Sequence, residues 1–444
     1  MKCILIANRG EIAARIIRTC KKMDIKTIAI YSEADQLAPY VSMADESYLI
    51  GGNQVNESYM NMDKIFQIAK EHEVDGIHPG YGFMSENSTF AKKCEEEGIT
   101  FIGPSGSVME QMGDKITARN VMEKVGVPIA KGTTEAIPTL EEAMEIAKKI
   151  GYPVMLKASA GGGGIGMQVV HDEQTLKTAF ENNTKRAQMF FGNGAMYMEK
   201  YIGDARHIEI QLLADQHGNV VHFFERECSI QRRNQKVIEE ARAIYISEST
   251  RNKMATIAVE AIKKIGYTNA GTMEFLVDKD ENFYFLEMNT RIQVEHPVTE
   301  EITGYDLIEQ QIRIARGETL SFNQSDITAQ NHSIEVRIYA EDPTTFFPSP
   351  GTITTYIEPH DDPNVRMESA VTKGYQVTPF YDPMIAKVIV TKENRHEAIK
   401  HLIETLQNYK IEGIKTNIPM ILSVLQDKAF QEGAITIHYV EQQV

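Results

Sequence analysis

Between Phe283 and Glu300 the chain reads FYFLEMNTRIQVEHPVTE, with Glu287, Asn289, Arg291, Gln293 and Glu295 at every second position. Successive side chains of an extended segment point to opposite faces, so this spacing puts all five on one face. Carboxylates, amides and a guanidinium make a poor core and suit a surface that meets cations and anions together. Just upstream, MEFLVDKDENFYFLEM reads as a hairpin turning at Asp280 and Glu281, with Glu274 in its first strand and Glu287 in its second. Placed directly across from each other, their Cβ atoms are about 4.5–5.5 Å apart, and like charges so placed repel. A hard cation removes the conflict: Mg²⁺ is held by one or two carboxylates plus substrate phosphates, and Asn289 adds an amide oxygen. A solvated acidic face whose charges avoid each other is the competing reading of the same spacing.

At 444 residues the chain exceeds one ordinary core, so two or three domains are expected. A net charge of −16 argues against a nucleic-acid binder, because that association depends on basic side chains neutralising phosphates. Cys3, Cys20, Cys94 and Cys228 are scattered without CxxC spacing, which suggests neither a zinc site nor a disulfide framework and fits a reducing cytoplasm. The apolar run Cys3–Ala7 is too short for a signal peptide, and no run reaches membrane-spanning length. A soluble cytoplasmic protein is expected.

The opening KCILIANRGEIAARIIRTCKKMDIKTIAIYS reads as strand, turn, helix, strand, with Ile12, Ile16, Ile17 and Cys20 on one helical stripe. Such a start belongs to a doubly wound sheet, although the single glycine of NRGE is no dinucleotide fingerprint. Further alternation through VDGIHPGYGF and GITFIG places a first domain at residues 1–113, and a second runs from about 114 to 317. The polar stretch Thr319–Asn331 reads as a connector to a smaller α+β domain at 332–440, with strands in HSIEVRIYAE and MIAKVIVT and a helix in HEAIKHLIETLQNY.

Within the second region, Gly161–Gly164 lies between the strand-like segments Tyr152–Lys157 and Met167–Val170. A Walker loop leads into a helix and carries Gly-Lys-Ser/Thr, so this run belongs to another class. Glycines between two strands form a lid whose N–H groups can approach phosphate oxygens, with Lys157 adding a charge beside them. MYMEKYIG, ending in Glu199 and Lys200, fits a hinge that offers backbone groups to an adenine edge and fits a plain strand equally well. In RHIEIQLLAD, His207, Glu209 and Gln211 alternate with Ile208, Ile210 and Leu212, as in a sheet lining a cleft or simply facing solvent. Arg232, Arg233 and Lys236 form a basic cluster that reads as a small-anion site or as a solvated charge run.

Taken together, IANRGEIA, HPGYGFMSEN, MGDK, KASAGGGGIGM, MEKYI, RHIEIQ, QRRNQK, EMNTRIQVEHPVTE, EVRIYAED and YDPMIAK resemble, in order and over essentially the whole chain, the biotin carboxylases of the ATP-grasp superfamily. The resemblance implies a Rossmann-like N-terminal domain, an ATP-grasp domain with a mobile lid at about 130–203, and a small α+β C-terminal domain. It implies ATP-driven carboxylation, by bicarbonate, of biotin held on a carrier protein. Lys115, Lys157, Gly163, Gly164, Glu199, Lys200, Tyr201, Ile202, His207, Gln231 and Asn234 would contact ATP, with Glu274 and Glu287. Glu274, Glu287 and Asn289 would hold Mg²⁺ or Mn²⁺. Lys236, Arg291, Gln293 and Val294 would bind bicarbonate, Glu295 would deprotonate it, and Arg337 would stabilise the biotin enolate.

The chain departs from the family pattern at Asn234, where histidine is usual, at Arg242 and Ile244, at Ala160 in place of a lid glycine, and at Ile165 in place of a lid arginine. No Met-Lys-Met attachment sequence occurs, so the biotin acceptor is expected to be another protein, acting with carboxyltransferase subunits. A homodimer is implied, with Arg15 and Arg18 as candidate contacts, unless they simply face solvent. Two other readings compete: a different ATP-grasp carboxylate ligase, and a non-catalytic nucleotide-binding paralogue supported by the four departures.

Overall fold

A computed structural model describes residues 1–159, 166–359 and 362–443. The first 101 residues supply strands β1 (Cys3–Ile6), β2 (Lys26–Ser32), β3 (Glu46–Gly51), β4 (Gly76–His78) and β5 (Thr100–Phe101), all parallel, in the order β3-β2-β1-β4-β5. The central strand β1, CILI, is buried along its length, as expected of a parallel strand covered on both faces. Helix Gly10–Lys22 packs Ile12, Ile16, Ile17 and Cys20 inward, matching the expected stripe.

Arg15 on this helix is not a surface contact. Its guanidinium is buried and binds Glu300 and Asp306, each at 2.8 Å, which ties the first helix to the helix His296–Thr303 and the turn after it. Arg18 reaches Glu368 and stays partly exposed. Removing one member of a buried ion pair leaves its partner uncompensated and costs about 3–5 kcal/mol. Arg15→Met is therefore expected to lower unfolding free energy by about 3 kcal/mol in a urea titration, Arg366 retaining part of Glu300. A change below about 0.5 kcal/mol would place Arg15 outside any stabilising network.

The lid is a three-stranded antiparallel unit, β6 (Val154–Ala158), β7 (Met167–Val170) and β8 (Met196–Lys200), in the order β7-β6-β8. Helices Leu140–Ile150 and Glu173–Phe191 cover it. Val154, Leu156, Leu176, Ala179, Met196 and Met198 form an apolar cluster of their own, so the unit has the makings of a body that moves as a piece. The strands expected on either side of the glycine run are present and pair with each other, while the run itself, Gly161–Gly164, with Ala160 and Ile165, lies outside the described residues.

Eight antiparallel strands form the main sheet, in the order β13-β12-β9-β10-β11-β14-β19-β17. They are β9 (Arg206–Ala214), β10 (Val220–Arg232), β11 (Gln235–Ala241), β12 (Asn269–Val277), β13 (Phe283–Asn289), β14 (His332–Tyr339), β17 (Val365–Ser369) and β19 (Met384–Lys392). Between the last of these lie the short β15 (Gly351–Thr352), β16 (Thr355–Ile357) and β18 (Gln376–Val377). The small C-terminal α+β part thus adds its longer strands to the central sheet, beside two short two-stranded pairs of its own: β14 pairs with β11, Glu239 opposite Glu335 and Ile238 opposite Val336. Without β14, β11 would present an open row of N–H and C=O groups. Among the described residues, no helix is long and apolar enough to cross a membrane.

Candidate active site

A cleft of about 350 Å³ opens between the lid and the exposed face of the main sheet. It gathers every expected site residue among those described: Lys115, Lys157, Glu199, Lys200, Tyr201, Ile202, His207, Gln231, Asn234, Lys236, Glu274, Glu287, Asn289, Arg291, Gln293, Val294, Glu295 and Arg337.

At the lid end, Lys157 projects from β6 onto Glu199 of β8, and Glu199 also accepts from Arg119 at 2.7 Å. Lys200 turns its ammonium to the carbonyls of Gly151 and Tyr152, at 2.9 and 3.1 Å, bracing the hinge. Tyr201 hydrogen-bonds His438 at 2.6 Å, and Ile437 joins Ile202, Met155 and Leu276 in an apolar wall. That wall suits a flat heterocycle. Sequence reasoning missed Ile437, since nothing local links position 437 to a hinge more than two hundred residues earlier.

The expected hairpin is present, with Glu274 directly opposite Glu287. The period-two reading beyond it fails: β13 ends at Asn289, and Arg291, Gln293 and Glu295 lie in a loop leading into helix His296–Thr303. They converge because that loop folds back over the sheet. The basic cluster also divides. Lys236 enters the cleft, Arg232 pairs with Glu341 at 2.6 Å, and Arg233 stacks near Phe346 and Phe347 outside. Arg233 and Asn234 form the β10–β11 turn with φ of 50° and 63°, a left-handed pair that asparagine tolerates better than most residues.

Lys236 is the centre of the charge arrangement. Its ammonium lies 2.6 Å from Glu209, 2.7 Å from Glu274 and 2.7 Å from Glu295. Glu274 also accepts from Gln293 at 2.7 Å and Asn289 at 2.8 Å, and His207 Nε2 lies 3.0 Å from it. Burial opposes its charge, and the Lys236 ammonium, with the His207 ring beside it, outweighs that opposition, holding Glu274 well below the usual carboxylate range. Glu295 is 1% exposed, and its second oxygen accepts from Arg337 at 3.0 Å. Here too burial is outweighed, by Lys236 and then Arg337 and Arg226, so Glu295 is ionised at neutral pH. Arg337 is anchored by Glu239 at 2.6 Å.

Glu287, 40% exposed at its side chain, has Lys115 at 3.4 Å. Glu274, Glu287 and the Asn289 amide oxygen make a set of hard oxygen donors, which fits Mg²⁺ or Mn²⁺. Arg291 binds Glu86 at 3.0 Å and Asn289 at 2.9 Å, which links the first domain to the site. Glu86 and the fully buried Arg226, bonded to Glu209 at 2.5 Å and Gln211 at 2.8 Å, were not singled out from sequence. The alternation of Glu209 and Gln211 on β9 was the available signal for a buried cation facing them.

Three family models cover the chain: biotin carboxylase, N-terminal domain, at residues 1–109; carbamoyl-phosphate synthase L chain, ATP binding domain, at 114–323; and biotin carboxylase C-terminal domain at 335–442. Biotin carboxylase 2 of Bacillus subtilis is 60% identical over 99% of both chains. The biotin carboxylase domain dimer of Hydrogenobacter thermophilus 2-oxoglutarate carboxylase, solved with MgADP, ADP and bicarbonate, superposes with a TM-score of 0.97 at 49% identity over 100% of this chain and 97% of that one. The Campylobacter jejuni biotin carboxylase–β-γ-ATP complex gives the same score and identity over 99% of this chain and 98% of that one. With a Rossmann-like start, an ATP-grasp centre and a C-terminal part that completes the central sheet, this chain belongs to the biotin carboxylase family.

Proposed function

We propose that this chain carboxylates biotin carried on a separate protein, using ATP and bicarbonate, as the first half-reaction of an acyl-CoA carboxylase or a related carboxylase. The observation that carries the reading is Glu295, an ionised buried carboxylate gripped between Lys236 and Arg337 in the same cleft as the lid and hinge. ATP would lie along the apolar wall with its phosphates toward Lys115, Lys157, His207 and the lid glycines Gly163 and Gly164, the hinge being Glu199–Ile202 and the far edge Gln231 and Asn234. Glu274, Glu287 and Asn289 would hold Mg²⁺ or Mn²⁺, which supplies positive charge to the phosphate oxygens.

Bicarbonate, a weak nucleophile, would bind at Lys236, Arg291, Gln293 and Val294. As its oxygen attacks the γ-phosphorus, its proton passes to Glu295 and ADP departs, leaving carboxyphosphate. Lys236 is shared among three carboxylates, so an incoming anion competes for it, and each contact Glu295 loses raises its basicity. Carboxyphosphate is hydrolytically fragile, which gives the lid a reason to exclude water. Its carboxyl carbon then passes to the ureido nitrogen of biotin, whose proton leaves with phosphate, while Arg337 stabilises the ureido oxygen as negative charge develops.

The carboxyl acceptor, acetyl-CoA or another, would be selected by a partner carboxyltransferase. Assembly as a homodimer in the cytoplasm with a biotin carrier completes the reading. Phosphate release from ATP by the purified chain is expected to require bicarbonate and to rise when free biotin or a biotinylated carrier is added. A folded preparation that binds Mg-ATP without such a rise would overturn it.

A further inference from the structure

Beside the cleft, on β19, Lys387 is 0% exposed at its side chain and does not line the cavity. A buried ammonium is expensive unless it is paired and hydrogen-bonded, and methionine would fill a similar volume without that cost. Among the described residues Lys387 makes two polar contacts. It donates to the backbone carbonyl of Val294 at 2.7 Å and pairs with Glu11 of the first helix at 3.3 Å. Across the sheet it stands opposite Arg337. The base and the residue assigned to biotin are thus both next to this one cation.

The carbonyl of Val294 belongs to the peptide that joins Val294 to Glu295. Glu295 has no regular strand to hold it, because β13 has already ended, and its side chain does not cap the helix that follows. What fixes the plane from which its Cα–Cβ bond projects is the bond from Lys387. Glu11 in turn fixes Lys387 from the first domain, so the base loop is held by a point outside the ATP-grasp sheet. We infer that Lys387 is a positioning residue for carboxylation: its ammonium sets the Val294–Glu295 peptide and thereby aims the base carboxylate from beside the cleft. The inference rests on the role proposed above for Glu295.

The test compares the double variant Lys387→Met, Glu11→Gln, which leaves no unpaired buried charge at that pair, with Glu11→Gln alone, which keeps the bond to Val294. Misplacing a reacting group by about 1 Å can reduce turnover by about 100-fold. The double variant is expected to lose about 100-fold in biotin-stimulated kcat while its KM for ATP and its melting temperature stay close to those of Glu11→Gln, itself within about threefold of wild type. Two results would overturn the inference: a double variant whose kcat matches that of Glu11→Gln, or one that loses kcat, ATP affinity and folded stability together. Absence of biotin-stimulated turnover in the wild-type chain would instead refute the proposed reaction.

Discussion

Glu295→Gln is expected to lower biotin-dependent turnover by about 10³-fold, within the 10²–10⁴-fold range of general acid–base catalysis, and to leave ATP binding within a few-fold of wild type. The split follows from position. Glu295 bonds Lys236 and Arg337, whereas the hinge residues Glu199, Lys200 and Tyr201 bond Arg119, Lys157, the Gly151 and Tyr152 carbonyls and His438. Glutamine keeps the shape and one acceptor oxygen, so either cation can still be satisfied, but its amide cannot take a proton from bicarbonate. Steady-state phosphate release with saturating biotin measures the first quantity, and titration calorimetry with a non-hydrolysable ATP analogue measures the second. A variant retaining more than a tenth of wild-type kcat would remove Glu295 from the role of base.

Lys236→Met is expected to combine the largest stability loss with loss of turnover. Glu209, Glu274 and Glu295 would lose the ammonium they share, and Arg226 would still hold only Glu209 directly. Leaving buried charges uncompensated costs about 3–5 kcal/mol at neutral pH. The pH dependence has a definite sign. In the wild-type chain Glu274 and Glu295 are depressed, so their contribution is present above the ordinary carboxylate range and fades as pH falls through it. In the variant, burial dominates and raises these carboxyls, so folding favours their protonated forms and stability falls as pH rises toward neutrality. The deficit relative to wild type is therefore largest near neutral pH and shrinks on acidification toward the carboxylate range. Urea unfolding of both chains at neutral and mildly acidic pH reads it, and a deficit that grows on acidification would contradict the shared-cation picture.

Much of the site was legible because its chemistry is written in local spacing. The hairpin that opposes Glu274 and Glu287 follows from alternation around an Asp/Lys/Asn turn, and the register came out as expected. The stripe Ile12, Ile16, Ile17 and Cys20 needed only a helical period. Alternation misled where the backbone changed state: Arg291, Gln293 and Glu295 keep the letters of a strand, but the chain leaves the sheet at Asn289 and enters a helix just after Glu295. Arg15 misled because a helix face reads as solvated until the acids that bury it, Glu300 and Asp306, arrive from nearly three hundred residues away.

The sequence by itself determined which chemical groups are present and, through long ordered motifs, which family they belong to. It also determined the local elements that carry the groups, since turns and alternation depend on neighbours a few residues apart. Only the tertiary structure decided how those groups share charge. That one ammonium at Lys236 serves three carboxylates, that Arg226 lies buried beneath them, and that Lys387 bonds the base loop from the strand beside Arg337 are properties of distance in space. Their strength comes from burial, because the same charges spread along an extended chain in water would be screened from one another.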